Sequence, residues 1–178
     1  MTRAVLSIGS NLGDRLAHLR SVVDGLGHRV MAVSAVYSTA PWGGVPQEDY
    51  LNAAVLVEDS AFSCADWLRR GRDLEGAAGR VRSTRWGART LDVDVVWCAA
   101  VRDGRLAACR STDPDLILPH PQAHRRAFVL VPWLDVAPDA VIEVEGRSYA
   151  VVDLLARMDS TERAGVRRTE FSLTDTSL

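Results

Sequence analysis

Leu91-Asp92-Val93-Asp94-Val95-Val96-Trp97-Cys98 is the stretch whose reading decides the fold. It is rich in β-branched residues and too short for a stable helix, so it reads as a strand. Strand side chains alternate, which puts Asp92 and Asp94 on one face and Leu91, Val93 and Val95 on the other. Upstream, Arg80–Thr90 is polar and basic. Before it, Ser63 is placed to cap a helix with apolar positions Trp67, Leu68, Gly71, Leu74 and Ala78, ending near Gly79. Asn52–Glu58 reads as a strand. Thr39–Asp49, with Pro41, Gly43, Gly44 and Pro46, must be a long loop. Met31–Tyr37 is β-rich and alternating. Asp14–Gly27 carries Leu16, Leu19, Val22, Val23 and Leu26 at helical spacing. Arg3–Ile8 is the first strand, followed by a Gly9–Asp14 turn. The order is therefore β-α-β-β-α-β. That predicts an α+β fold with a ferredoxin-like core and a mostly antiparallel sheet.

Downstream, Asp103-Gly104 marks the turn of an inserted hairpin. Pro119–Pro121 is irregular. Arg125–Leu134 and Ser148–Met158 read as helices of an added C-terminal part. The chain of 178 residues is expected to be one catalytic domain, with a core at 3–158 and a polar tail at 159–178. Within the tail, Gly165–Leu173 is open between an extra strand and disorder.

An apolar fraction of 47% and a net charge of −2 fit a globular protein and argue against a general nucleic-acid binder, which needs a basic surface. No apolar run is long enough for a membrane span, and Ala4–Ile8 has no cleavage pattern behind it. A cytoplasmic location is the expectation. Cys64, Cys98 and Cys109 are odd in number, widely spaced and form no CxxC pair. They read as buried small hydrophobes or ordinary thiols. The chain has no lysine, and all 21 of its basic residues are arginine. A lysine-ending phosphate loop and a lysine Schiff base are both excluded.

The chemistry concentrates at residues 80–94. Asp92 and Asp94 project from one face about 7 Å apart along the strand. Two carboxylates so placed repel unless a cation joins them, and hard oxygen ligands suit magnesium. Arg80, Arg82, Arg85 and Arg89 fall within ten residues just upstream. Guanidinium groups match phosphate oxygens bidentately. A strand Asp-x-Asp alone is common, and arginines on a loop also suit a solvated surface. Adjacent and in this order, they suit phosphoryl transfer, which rests on positioning and electrostatics.

The run Arg85-Trp86-Gly87-Ala88-Arg89-Thr90-Leu91-Asp92-Val93-Asp94 resembles the signature of the 6-hydroxymethyl-7,8-dihydropterin pyrophosphokinase family. So do Gly9–Arg15, Tyr37–Gly43, Asp49–Ala54, Leu118–Pro121, Arg126–Leu130 and Ala137-Pro138, in order. The resemblance implies diphosphate transfer from ATP to the pterin hydroxymethyl group, with AMP leaving. It implies two magnesium ions at Asp92 and Asp94, and phosphate contacts from Arg80, Arg82 and Arg89. It places Leu68, Arg72, Glu75, Arg85, Trp86, Ile117, His120 and Arg126 about the nucleotide. It assigns the pterin to Asn52 and the Thr39, Pro41 and Trp42 segment, between the rings of Tyr50 and Phe128. A flat amide-bearing heterocycle wants two π faces and a side-chain amide.

Departures from the family pattern are Ala40 in place of a frequent proline, Gln122 where a basic residue is expected, a shorter Arg82–Arg85 interval, and longer segments at Ala99–Thr112 and after Met158. A divergent paralogue acting on another acceptor alcohol is the alternative. An RNA-binding module on the same superfold would need aromatic side chains on the central strands, where Val5–Ile8 and Leu91–Trp97 carry mostly Asp and aliphatics. No nucleic-acid partner and no membrane are expected, and a monomer is the default.

Overall fold

The computed structural model describes residues 1–41, 48–79 and 88–174. The elements run β1 (Thr2–Ser10), α1 (Arg15–Leu26), β2 (Val30–Val33), β3 (Tyr37–Thr39), β4 (Tyr50–Asp59), α2 (Cys64–Ala77) and β5 (Asp92–Arg102). They continue with β6 (Arg105–Ala108), β7 (Ser111–Asp113), β8 (Leu116–Leu118), α3 (Ala127–Val136), β9 (Val141–Val144), β10 (Arg147–Ala150), α4 (Val151–Arg157), α5 (Ser160–Ala164) and β11 (Arg167–Arg168). The main sheet has the order β11-β3-β4-β1-β5-β6, with β2 also pairing β4. Its pairings are antiparallel.

The starts of α1 and α2 have local causes. Asp14 accepts the Ala17 N–H at 3.0 Å and opens α1. Ser63 and Asp66 bond each other's backbone N–H in a capping box that opens α2. Trp67 then buries fully and donates its indole N–H to Thr2 Oγ1 at 2.9 Å, tying α2 to β1. Gly71 lets α2 lie close on β5, because a Cβ there would stand 3.1 Å from Val93 Cγ1.

The sheet separates two apolar layers. On one face Leu6, Ile8, Ala53, Val55, Val93 and Val95 pack against Leu19, Val22 and Leu26 of α1 and Trp67 and Leu74 of α2. On the other, Val5, Ala54 and Val96 pack against Val129, Leu130, Trp133 and Val136 of α3. Leu91, Val93 and Val95 take the helix-covered face as the alternation requires. The register slips between Val5 and Leu6, which pair with Trp97 and Val95 and leave Val96 as the extra residue of a bulge. Beyond that bulge the alternation of β5 is reversed. Cys98 joins the α2 side instead of the face that Asp94 and Val96 would predict for it.

Several expectations need correction. Met31–Tyr37 is not one strand. Ser34 accepts the Ala54 N–H on its hydroxyl at 2.8 Å and donates its own N–H to Ala54 O, so a side chain interrupts the ladder and β2 ends before β3 begins. Ser148–Met158 is not all helix. Glu145 and Gly146 hold positive φ of 51° and 78°, which makes a two-residue hairpin turn, and Arg147–Ala150 pairs with β9 before α4 starts. A second hairpin, β7–β8, turns at Pro114-Asp115, where Asp113-Pro114 favours a turn. Cys64 and Cys98 are not ordinary thiols but form a disulfide, with Cα atoms 6.1 Å apart. Of the two readings left open for Gly165–Leu173, the extra strand is the one found, since Arg167 and Arg168 pair with Ser38 and Tyr37, and Leu173 is buried in the core.

Candidate active site

Past the N-terminal end of α3, the second face of the sheet opens into a cleft of about 800 Å³. Its floor is a row of paired strand positions. Asn52 on β4 lies opposite Gly9 on β1, and Gly9 lies opposite Asp92 on β5. Ser7 and Asp94 form the next pair. Thr39, Tyr50, Arg89, His120, Gln122, Arg125, Arg126 and Phe128 make the walls. The sheet and α3 therefore bring the amide, the two carboxylates and the ring residues together from segments far apart in sequence.

Asn52 is buried and donates its amide N–H to Thr39 Oγ1 at 2.6 Å. That bond fixes the amide plane and leaves the oxygen turned along the floor. Gly9 is required beneath it, because a Cβ there would come within 2.9 Å of Asn52 Oδ1. Tyr50 and Phe128 line opposite elements of the same cleft, and the Arg126 guanidinium lies 5.8 Å from the Phe128 ring centre.

Asp94 is pushed up to about 7, first by burial and then by the neighbouring charge of Asp92, with Arg126 and Arg89 pulling the other way. The all-oxygen donor set of this carboxylate pair suits a hard divalent cation. Arg89 donates to Asp92 Oδ2 at 2.6 Å. Burial disfavours the Arg89 charge, yet the bond and the field of Asp92 hold its pKa above the ordinary value. Burial, and then Arg126, lower the pKa of His120. Its Nδ1 accepts the Gln122 N–H at 3.2 Å, which leaves Nε2 as the donor of a neutral ring.

Asn11, read from sequence only as part of a turn, is a buried clamp. Its Oδ1 accepts the Arg89 N–H at 2.8 Å, its backbone N–H bonds Arg89 O, and its amide reaches Glu48 O at 3.4 Å. It thus ties the first loop to the C-terminal ends of both flanking loops. An asparagine two residues past a strand-end glycine was the available signal. Gln122 and Arg125 also line the cleft and were not selected as site residues.

Five of the expected site residues, Glu75, Leu68, Arg72, Ile117 and Pro41, lie outside the cleft lining. Glu75 is buried on α2 and accepts the Val93 N–H at 2.9 Å, which anchors the strand carrying Asp92 and Asp94. Leu68 packs on the α2-side core. Arg72 pairs with Asp115 at 3.2 Å, near the exposed Ile117 of β8. Pro41 is half-buried and is not part of the lining. Trp42, Arg80, Arg82, Arg85 and Trp86 lie outside the described residues.

Paired carboxylates beside arginines, facing an amide and two aromatic rings, define a site for joining a phosphate-bearing substrate to a flat heterocycle. The family model for 7,8-dihydro-6-hydroxymethylpterin-pyrophosphokinase matches residues 5–138, and the chain belongs to that family. It is 55% identical to the 2-amino-4-hydroxy-6-hydroxymethyldihydropteridine pyrophosphokinase of Mycobacterium leprae, over 97% of this chain and 92% of that one. Identity to the enzyme of that name from Mycobacterium tuberculosis is 49%, over 97% and 94%. For Methylorubrum extorquens it is 41%, over 96% and 100%. The fold is similar to a crystal structure described as HPPK-DHPS in complex with substrates, with a TM-score of 0.60 at 11% identity. The match covers 87% of this chain and 43% of that longer one.

Proposed function

We infer that this cleft carries the reaction of its family. The enzyme transfers diphosphate from ATP to the hydroxymethyl group of 6-hydroxymethyl-7,8-dihydropterin, giving AMP and the pterin diphosphate used in folate biosynthesis. The observation that carries the reading is the floor row Asn52–Gly9–Asp92, which sets a heterocycle-reading amide beside the carboxylate pair.

In this reading Asp92 and Asp94 hold magnesium, which lowers the pKa of the acceptor hydroxyl and screens the phosphates when bound. Asn52, held by Thr39, reads the pterin's amide edge, and Tyr50 and Phe128 supply the ring faces. Thr39 lines that subsite, and the resemblance would add Pro41 and Trp42 to it. Arg89, which bonds Asp92 in this structure, would with Arg80 and Arg82 meet phosphate if a cation were held by the carboxylate pair. His120 and Arg126 meet the nucleotide at the other end of the cleft. The resemblance would add Leu68, Arg72, Glu75 and Ile117, which lie outside the cleft lining, together with Arg85 and Trp86, to the nucleotide's contacts. Asn11 couples the three segments, so their closure excludes the water that would hydrolyse ATP.

The core is read as a split βαβ arrangement, with β5 and β4 flanking β1 and β2 beyond β4. Residues 1–178 act as one catalytic unit and work as a monomer. Among the described residues no helix is long and apolar enough to cross a membrane. A cytoplasmic location follows from the need for ATP.

The test is AMP release by the purified chain with ATP, magnesium and the pterin. AMP formed only when both pterin and magnesium are present is the expected result. ADP as product would overturn the diphosphoryl reading. AMP formed only with another acceptor alcohol would establish the divergent-paralogue alternative.

A further inference from the structure

The three cysteines, scattered in sequence, meet in the fold. The sulfurs of Cys64, Cys98 and Cys109 all lie within 4.8 Å of one another. Cys64 and Cys98 are bonded, and Cys109 is a free, partly exposed thiol beside them. A tetrahedral zinc site takes four ligands, whereas the group holds three sulfurs among the described residues, two of them already joined. The arrangement suits sulfur exchange better than metal.

Three placements support that. Cys109 donates its N–H to Cys98 O at 2.8 Å, one step beyond the Ala99–Ala108 pair of β5 and β6. The two cysteines are therefore direct cross-strand neighbours. Hydrogen-bonded antiparallel pairs hold their Cα atoms about 5.5 Å apart, inside the span a disulfide bridges. Cys98 can thus bond either neighbour. Cys64 is the first residue of α2, immediately after the Ser63 cap. A helix N-terminus stabilises a thiolate, and the more stable thiolate is the better leaving group. Asp66 in the same turn is engaged by the Ser63 N–H and by Arg69.

We propose that Cys64, Cys98 and Cys109 form a thiol–disulfide exchange site in which Cys98 is the shared sulfur and Cys64 the thiol released for capping by a low-molecular-weight disulfide. The Cys109 thiolate attacks Cys98 Sγ, a Cys98–Cys109 bond forms, the Cys64–Cys98 bond breaks, and Cys64 leaves as thiolate. No electrons are gained or lost in this step. The Cys64 thiolate then attacks a small disulfide, forming one mixed disulfide and expelling one small thiolate. The exchange moves the covalent tie from between α2 and β5 to between β5 and β6. It frees the helix whose Glu75 anchors Val93, between Asp92 and Asp94.

The test equilibrates the full chain with oxidised and reduced glutathione, quenches in acid, alkylates with N-ethylmaleimide and digests with trypsin. Cleavage after arginine separates the cysteines into peptides 30–69, 90–102 and 106–110. The expected result is both linkages, 30–69 to 90–102 and 90–102 to 106–110, with glutathione on 30–69. Cys64→Ser should retain the second linkage and Cys109→Ser the first. Only the first linkage in the wild-type chain, three alkylated thiols, or glutathione confined to 106–110 would each overturn the proposal.

Discussion

Asn52 and Gly9 act as one unit at the cleft floor. The amide of Asn52 is fixed by Thr39, and the missing side chain of Gly9 leaves room for its oxygen. On the proposed reading, Asn52→Ala removes the buried amide that would meet the pterin's edge. An unpaired buried polar group costs about 1–3 kcal/mol, so the pterin KM should rise on the order of tenfold to a hundredfold. The ATP KM should stay near its original value, and steady-state kinetics with each substrate varied in turn checks the split. Gly9→Ala should show the same one-sided loss, because its Cβ displaces the same oxygen. Equal losses for both substrates would place the amide elsewhere. Asp94→Asn keeps the shape and removes one charge from the carboxylate pair. Turnover with magnesium should fall by about a thousandfold, as expected when a preorganised electrostatic contact is lost. The fall should exceed any change in thermal midpoint, which differential scanning calorimetry reports separately.

At the level of elements, the site depends on α3 staying seated on the sheet beside the cleft. Tyr37 of β3 donates its hydroxyl to Asp135 of α3 at 2.9 Å, and the same oxygen takes the Ala35 N–H at 3.1 Å. Burial first, and then the bond to Asp135, push the Tyr37 pKa up to about 12. A raised folded-state value means the native protein holds the phenol proton more tightly than the unfolded chain, whose tyrosine titrates near 10. The contribution is therefore complete below about pH 10 and is lost as pH rises towards 12. Tyr37→Phe should destabilise the protein by about 2 kcal/mol at neutral pH and flatten the decline between pH 10 and 12. Urea unfolding across that range measures both effects.

Alternation and capping made much of this scale legible in advance. Asp14, Ser63 and the Leu91–Val95 face are local features, and local spacing reveals them. The bulge at Val96 is different. It exists because β1 and β5 pair out of step, a relation between distant segments, and it alone turns Cys98 towards Cys64. The clamp at Asn11 was hidden for the same reason, since its partners come from two other segments. Asp92, Asp94, Asn52 and the aromatic pair were legible because spacing and the resemblance picked them out before any contact was known.

Across the whole molecule, the C-terminal segment reaches back to the entrance of the site. β11 adds to the outer edge of β3, Thr169 bonds Val36 O, and Arg20 of α1 holds Ser172 O. Leu173 is buried in the α1–α2 layer. Arg167 meets Asp49 at 2.9 Å, the residue at which the chain returns to β4 after the Thr39 loop. Arg15 and Ser38 hold the same residue, through its carbonyl and its carboxylate. The Arg167–Asp49 pair is largely exposed, so it adds little to stability, and its effect must lie in position. Leu173, by contrast, contributes about 1.5–3 kcal/mol through burial. These roles separate experimentally. Leu173→Ala should lower the thermal midpoint by roughly 5 °C and leave the pterin KM nearly unchanged. Arg167→Ala should leave the midpoint unchanged and raise the pterin KM a few-fold, because Asp49 then swings free of β11. Removing residues 165–178 should do both. If that truncation lowered the midpoint without affecting pterin binding, the segment would be a stabilising strap with no part in positioning the pterin side of the cleft.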